Sequence, residues 1–357
     1  MTAATGSAEH ADTQLRQPVT LVNVAAPIYS FAHDDGMLAW EECCTGGWET
    51  RSTIKVGGAL DGRAVTVSRP DGGDGPYVME EFALGGRRVV WGGFVDCCNS
   101  GYGEFETAAP GSKPKRLRGL DLDYWEWGEY PTGAAGDGTT LVYSIATIEP
   151  SYGSDDQVDS WAVAGGGVWR VVGSKSVRVP HTPPTAMLAV ARRAIALVPA
   201  DQRRYHGPCS EKNPLGCAEV RIAPGARVEV RDAVNGVLIA TFAPKGRVAA
   251  LGMDEETVAV VDRSGREARV EWYSANSGKL LGTSSVPRSI ADSIDVSGHT
   301  IVLHRGKTIL AVDTGTRQIR DLALVSSPPV GLSIEGDRVA WAEKVGNRGA
   351  IRAVTVG

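Results

Sequence analysis

The chain has 357 residues, 44 of them glycine, with an apolar fraction of 42% and a formal net charge of −5 spread as both signs along its length. That composition supports a packed core rather than disorder, and it lacks the basic face that would neutralise phosphates, which excludes a nucleic-acid partner. No run approaches the roughly 18 apolar residues that would span a bilayer, and the start MTAATGSAEHADTQ carries no apolar signal-peptide stretch.

In chain order, residues 1–17 read as a flexible N-terminal segment. Pro18 to Val24 is an apolar stretch without a partner in its own neighbourhood. A ten-residue unit then recurs seven times, as an apolar strand, a tight polar turn and a second apolar strand. The copies are Phe31 to Trp40, Phe82 to Trp91, Ala134 to Tyr143, Leu188 to Leu197, Leu251 to Val260, Ile294 to Leu303 and Leu332 to Trp341. Repetition at roughly 40 to 60 residues is the period of a β-propeller blade, and each such unit must stack on neighbours to bury its faces. Helical periodicity is nearly absent.

Each unit extends to four strands. The fifth reads VAALGMD, TVAVVDRSG, ARVEWYSANSG and KLLGTSSVP; the sixth reads SIDVSG, TIVLHRG, KTILAVDTGT and RQIRDLALV. Glycines in these hairpins supply the positive φ that tight turns need. The seventh supplies only three strands before Gly357, so residues 18–24 are expected to complete it and close the ring, removing an exposed sheet edge. An open solenoid is the alternative. The expected fold class is therefore all-β: a seven-bladed β-propeller of four-stranded antiparallel blades, one domain over 18–357.

The repeat is broken in places. The third copy has TIEPSYGSDDQVDS between its second and third strands, and the fourth has an insertion from Asp201 to Ile222. Long loops inside compact domains are often functional. Both should leave the same face of the disc, together with Thr45 to Arg51 and Asn99 to Glu104. Six cysteines are present. Cys209 and Cys217 bracket a short loop suited to a disulfide, worth about 2–3 kcal/mol in the chain-entropy picture. Cys43, Cys44, Cys97 and Cys98 follow equivalent strands of neighbouring blades and suit cross-blade disulfides of open connectivity. A four-thiolate zinc site is the rival, disfavoured because adjacent CC pairs lack the C-x2-C spacing. Disulfides imply an oxidising compartment, hence an extracytoplasmic or secreted protein.

The turn-and-strand pieces SFAHDDGMLAW, LSIEGDRVAW, WYSANSGKLLG and AVDTGTRQIRDL resemble the TolB-like and Trp-Asp-repeat-like bacterial β-propellers. Where that superfamily often carries Pro-Asp-Gly in the turn, this chain has Asp34-Asp35-Gly36 and Glu335-Gly336-Asp337, and the fourth and fifth copies lack the turn glycine. The resemblance implies the fold and a tendency toward protein or ligand binding. It implies no catalytic residue.

No G-x-S-x-G elbow, P-loop or H-E-x-x-H stretch occurs, so no catalytic residue, cofactor or metal ligand is assigned. His33 sits on an innermost strand before a turn, where a strand-end histidine is the plain reading. The DGGDG run at Asp71 to Gly75 lacks the regularly spaced oxygens that calcium needs. Lys113, Lys115, Arg116 and Arg118 read as a solvated strand edge, and Trp40, Trp91 and Trp341, at equivalent strand ends, as packing residues. The one candidate binding segment is DLDYWEWGEY. Asp121, Asp123, Tyr124, Trp125, Glu126, Trp127 and Tyr130 there combine aromatic faces and carboxylates that could hold a sugar or an organic cation, although strand alternation would turn one set into the core. The expected function is a non-catalytic binding scaffold for a protein or surface glycan. A lyase or hydrolase at the channel mouth and a structural cell-surface subunit are the alternatives.

Overall fold

The computed structural model describes residues 15–43, 52–58, 64–68, 77–95, 102–121, 127–154, 158–206, 220–263, 268–286 and 290–357. These residues form strands and turns only, and no helix among them is long and apolar enough to cross a membrane. The strands make seven antiparallel sheets, the blades of a seven-bladed β-propeller. Their first strands, Ile28–Asp34, Tyr77–Gly85, Gly128–Asp137, Thr185–Ala191, Val248–Met253, Ile290–Ser297 and Val330–Glu335, surround a common axial cavity.

The seventh blade contains both ends of the chain. Val19–Val24 pairs with Arg348–Thr355 at its outer edge, from Val19 opposite Ala353 to Val24 opposite Gly349. Ring closure thus holds as expected. Arg16 strengthens it, donating from its guanidinium to the carbonyls of Thr355 and Gly357 (both 2.9 Å) and from its amide to Leu322 of the sixth blade (3.1 Å).

The seven sequence copies coincide with the first hairpin of every blade. In all seven, the first and last residues of the decapeptide face each other across the ladder: Phe31 and Trp40, Phe82 and Trp91, Ala134 and Tyr143, Leu188 and Leu197, Leu251 and Val260, Ile294 and Leu303, Leu332 and Trp341. Every first strand also shifts register just before its copy begins, for example between Ile28 and Ser30, Met79 and Glu81, and Val330 and Leu332. Such a bulge twists the strand and turns an extra residue out of the ladder.

The core lies between blades, as seven apolar clusters that each join two neighbours. The last residue of each copy packs onto the preceding blade. Trp40 shares a cluster with Ala340 and Ala342, Trp91 with Ile54 and Val56, and Trp341 with Val302 and Ile309. These three indoles are at most 1% exposed, and burial of side chains this size stabilises by about 2–3 kcal/mol each. Where polar partners are within reach the indole N–H donates, Trp40 to Glu42 (2.8 Å) and Trp91 to Glu106 (3.1 Å).

One expectation changes. The stretch TIEPSYGSDDQVDS is a continuation of paired strand for most of its length, not a loop. Thr140–Tyr152 and Val158–Val172 form a long hairpin whose register shifts at Thr147/Ile148 and Ser151/Tyr152 absorb its irregularities. Pro150, in the ladder opposite Trp161, and the Ser, Gly and Asp residues around it resemble loop punctuation in sequence, but the bulges let the ladder run past them. Tyr205–His206 of the fourth-blade insertion adds to its outer edge, opposite Trp161 and Ser160.

Candidate functional site

Because the strands of a blade alternate in direction, its first hairpin turn leaves one face of the ring. The second-to-third connections and the links between blades leave the other. The two faces differ in construction.

On the turn face, side chains at the end of the first strands accept amides from the turns of neighbouring blades. The Asp34 carboxylate takes the Gly86 amide of the second blade and the Gly138 amide of the third (3.0 Å to the latter). Asp137 takes the Arg192 amide (2.7 Å), Ser297 the Gly336 amide (3.0 Å) and Glu335 the Gly36 amide (3.0 Å). Between the fourth and fifth blades an ion pair, Arg192 to Glu255 at 2.5 Å, takes this place. Asp34 spans two seams because the second blade has Gly85 where an acceptor would sit. Burial raises the Asp34 and Asp137 carboxyls above the usual carboxylate range, and their amide bonds oppose that shift. His33 is buried nearby, its Nε2 3.3 Å from Glu335; burial lowers its pKa and the Glu335 charge opposes this.

On the loop-bearing face, the extended third-blade hairpin and the fourth-blade insertion share an apolar cluster of their own: Trp127, Ala146, Ile148, Trp161, Val163 and Ala200. Trp161 and Tyr205 stack with centroids 4.8 Å apart, and the Arg221 guanidinium lies 5.3 and 4.8 Å from the two rings. Asp201 anchors the insertion, accepting from the Arg203 guanidinium and from the Tyr205 hydroxyl (2.5 Å). The Arg203 bonds hold its carboxyl well below the usual range. Arg204 donates to Ser160 (3.1 Å). Tyr152, near the hairpin tip, is 50% exposed.

The described ends of the candidate segment, Asp121 and residues 127–130, flank the connection between the second and third blades. Asp121 is exposed at a strand end, Trp127 is 4% exposed within the apolar cluster, and Tyr130 packs beside it. Asp123, Tyr124, Trp125 and Glu126 lie outside the described residues, as do Asp71 to Gly75 and five cysteines, Cys44, Cys97, Cys98, Cys209 and Cys217. Cys43 is disulfide-bonded. In the basic run, Arg116 pairs with Glu104 (3.1 Å), and Arg118 pairs with Glu129 while lying 4.8 Å over Trp169.

Between the faces runs an axial cavity of about 570 Å³ lined by all seven first strands. Its polar wall includes Tyr29, Ser30, His33, Glu80, Glu81, Ser293 and Asp295, with neither lysine nor arginine among the described residues that line it. Ser30 Oγ, 3.7 Å from Met79 Sδ, brings the bulges of the first and second blades together. Glu81 and Asp295, both half-buried, are among its lining residues. Burial pushes the Glu81 carboxyl up to about 8, helped by the Glu80 charge and opposed by the Ala134 amide. Burial likewise pushes Asp295 up to about 7 against the amides of Ile334 and Val296. Among the described residues no three His, Cys, Asp or Glu side chains are placed to hold a metal ion.

Sequence reasoning passed over the cavity carboxylates and the turn-face acceptors. A signal existed: Asp34, Asp137, Asp254 and Glu335 all stand at the fourth position of their copies. Extending the copies backwards also puts Glu81 where other blades have Ser30, Gly133, Met187, Ala250, Ser293 and Gly331.

No protein-family model matches the chain, and no curated protein matches it. Among solved structures, it is similar to a chain of the mitotic checkpoint complex, with 10% identity, a TM-score of 0.53 and 98% of both chains covered. It is also similar to Chaetomium thermophilum Sqt1 bound to the N-terminus of ribosomal protein L10, with 13% identity, a TM-score of 0.48, and 95% of this chain and 88% of that one covered. The computationally designed Ika8 protein has 16% identity and a TM-score of 0.48, covering 94% of this chain and 99% of its own. At these identities the likeness concerns the fold.

Proposed function

We propose that this propeller is a binding scaffold that holds a protein partner on its loop-bearing face. The observation that carries the reading is the asymmetry of the ring. One face is closed by turn-to-turn hydrogen bonds, while the other raises a long hairpin and an insertion, locked together by the Trp161, Tyr205 and Arg221 stack. Surface loops placed by a rigid frame are where recognition is ordinarily built. The chain in the mitotic checkpoint complex, similar in fold, is part of a protein assembly, which is consistent with this reading. The disulfide-bonded Cys43 supports an extracytoplasmic setting, where a surface glycan is the other partner class. The test replaces residues 150–160 by a two-residue Asn-Gly turn and compares capture of cross-linked partners from envelope extract, alongside a glycan array. Loss of specific capture with unchanged melting of the ring is expected. Capture equal to that of the intact chain would overturn the reading.

A second reading, a lyase or hydrolase, draws on the raised carboxyls of Glu81 and Asp295 in the cavity, since a protonated carboxyl near neutral pH can serve as a general acid. Turnover of polysaccharide or ester substrates that disappears in Glu81→Gln would favour it over the scaffold.

A further inference from the structure

We propose that the axial cavity is a binding site for an organic cation, an ammonium or guanidinium group, either free or carried on a side chain. Two independent features point to it. The first is charge. Glu80, Glu81 and Asp295 line the cavity, with no lysine or arginine among the described residues of its lining. A half-buried carboxylate is costly to ionise, and a cation entering the cavity would offset part of that cost. The second is the aromatic wall. The bulge of the first blade turns Tyr29 out of the ladder, 56% exposed, and Tyr29 lines the cavity together with Glu80 and Glu81. A tyrosine face beside carboxylates attracts ammonium and guanidinium groups through its quadrupole as well as through charge.

The geometry fits a small ligand. About 570 Å³ falls within the range of ordinary ligand pockets, roughly 300–1,000 Å³. Glu81 breaks the pattern of the repeat, since the other blades carry small or uncharged residues at its position. Asp295 takes the amides of Ile334 and Val296 and Glu81 takes the Ala134 amide. A carboxylate has about four acceptor sites, so each keeps acceptor capacity for a ligand, beside Glu80. The inference is separate from the scaffold reading, because a partner can be held on the loops whether or not the cavity is filled.

Calorimetric titration of the full chain with spermidine and with the blocked tripeptide acetyl-Gly-Arg-Gly-amide tests it, at low and at raised salt. One-to-one binding of at least one probe is expected. Spermidine alone would mark a free polyamine-type ligand, and the tripeptide alone a side chain presented by a partner. Glu81→Gln should weaken binding by about tenfold or more, the equivalent of one pK unit of interaction, and should abolish the rise in melting temperature that the probe causes. Tyr29→Ala, at an exposed position, should weaken it about threefold. Glu255→Gln, on the turn face, should leave it unchanged. The proposal is overturned if neither probe binds at about 5 mM, if Glu81→Gln binds undiminished, or if Glu255→Gln weakens binding as much as Glu81→Gln does.

Discussion

On the turn face, successive blades hold one another directly. Asp34, Asp137, Ser297 and Glu335 each accept an amide from a neighbouring hairpin, and the turns are two residues long. On the loop-bearing face the connections run outward, and the polar groups there serve a local assembly: Asp201 with Arg203 and Tyr205, Arg204 with Ser160, Arg221 over its two rings. The first face spends its hydrogen bonds on the ring as a whole. The second spends them on one hairpin and one insertion, and leaves Tyr152 and Tyr29 in solvent. A lesion on the first face should therefore be felt globally and one on the second locally.

The largest effect is expected where the first strands of the second and third blades touch. A Cβ on Gly136 would lie 2.0 Å from the Leu84 carbonyl oxygen, so Gly136→Ala must push two blades apart. Overpacking costs about 1–3 kcal/mol or more when backbone has to move. A large drop in melting temperature with a single transition is expected. Next comes Asp34→Ala, which leaves the Gly86 and Gly138 amides without their acceptor. At about 1–3 kcal/mol for an unsatisfied buried group, chemical denaturation should show a global loss of about 2–3 kcal/mol.

Trp161→Ala should behave differently in kind. It removes a 4%-exposed side chain from the apolar cluster under the hairpin, and large-to-small changes of this sort cost about 3–5 kcal/mol in a closed core. Here the cost should be paid by local opening. Hydrogen exchange should quicken in residues 148–163 and 200–206, while the main melting transition moves less than in Asp34→Ala. Equal global destabilisation by both variants would erase the distinction between the faces.

The last effect is a pH slope. Below the ordinary glutamate range the folded and unfolded chains both protonate Glu81. From there up to about 8 the folded chain keeps a proton that the unfolded chain has lost, so stability falls as pH rises and the loss is complete above about 8. The slope is at most about 1.4 kcal/mol per pH unit. His33, whose pKa burial lowers, acts the other way, losing stability as pH falls. The difference between the wild-type and Glu81→Gln profiles isolates the carboxyl: the variant should be flatter from about pH 5 to 8.

The seven hairpins were legible because each is local. A ten-residue unit with apolar ends and a turn in the middle declares its own pairing, and all seven pair end to end. Ring closure was legible by deficit, since a three-stranded last unit and a spare strand account for each other. The cavity was hidden because it is made by residues on seven different strands, and because the bulge before each copy shifts the face that a simple alternation would assign. The extended hairpin was hidden by Pro150 and Gly153, which look like the end of a strand and lie within or beside a paired one. Trp127 and Tyr130 show the limit of composition: aromatics beside carboxylates suggest a ligand, and whether their faces are free depends on Trp161 and Ala200, far along the chain.

The central claim, that the loop-bearing face is the binding face, is tested most directly by two photo-cross-linkable variants of the full chain. One carries benzoyl-phenylalanine in place of Tyr152, near the hairpin tip, and the other in place of Asp337, exposed in a hairpin on the turn face. After irradiation in envelope extract, a discrete adduct from position 152 and none from position 337 is the expected result. Adducts from position 337 alone, or the same adducts from both, would contradict it.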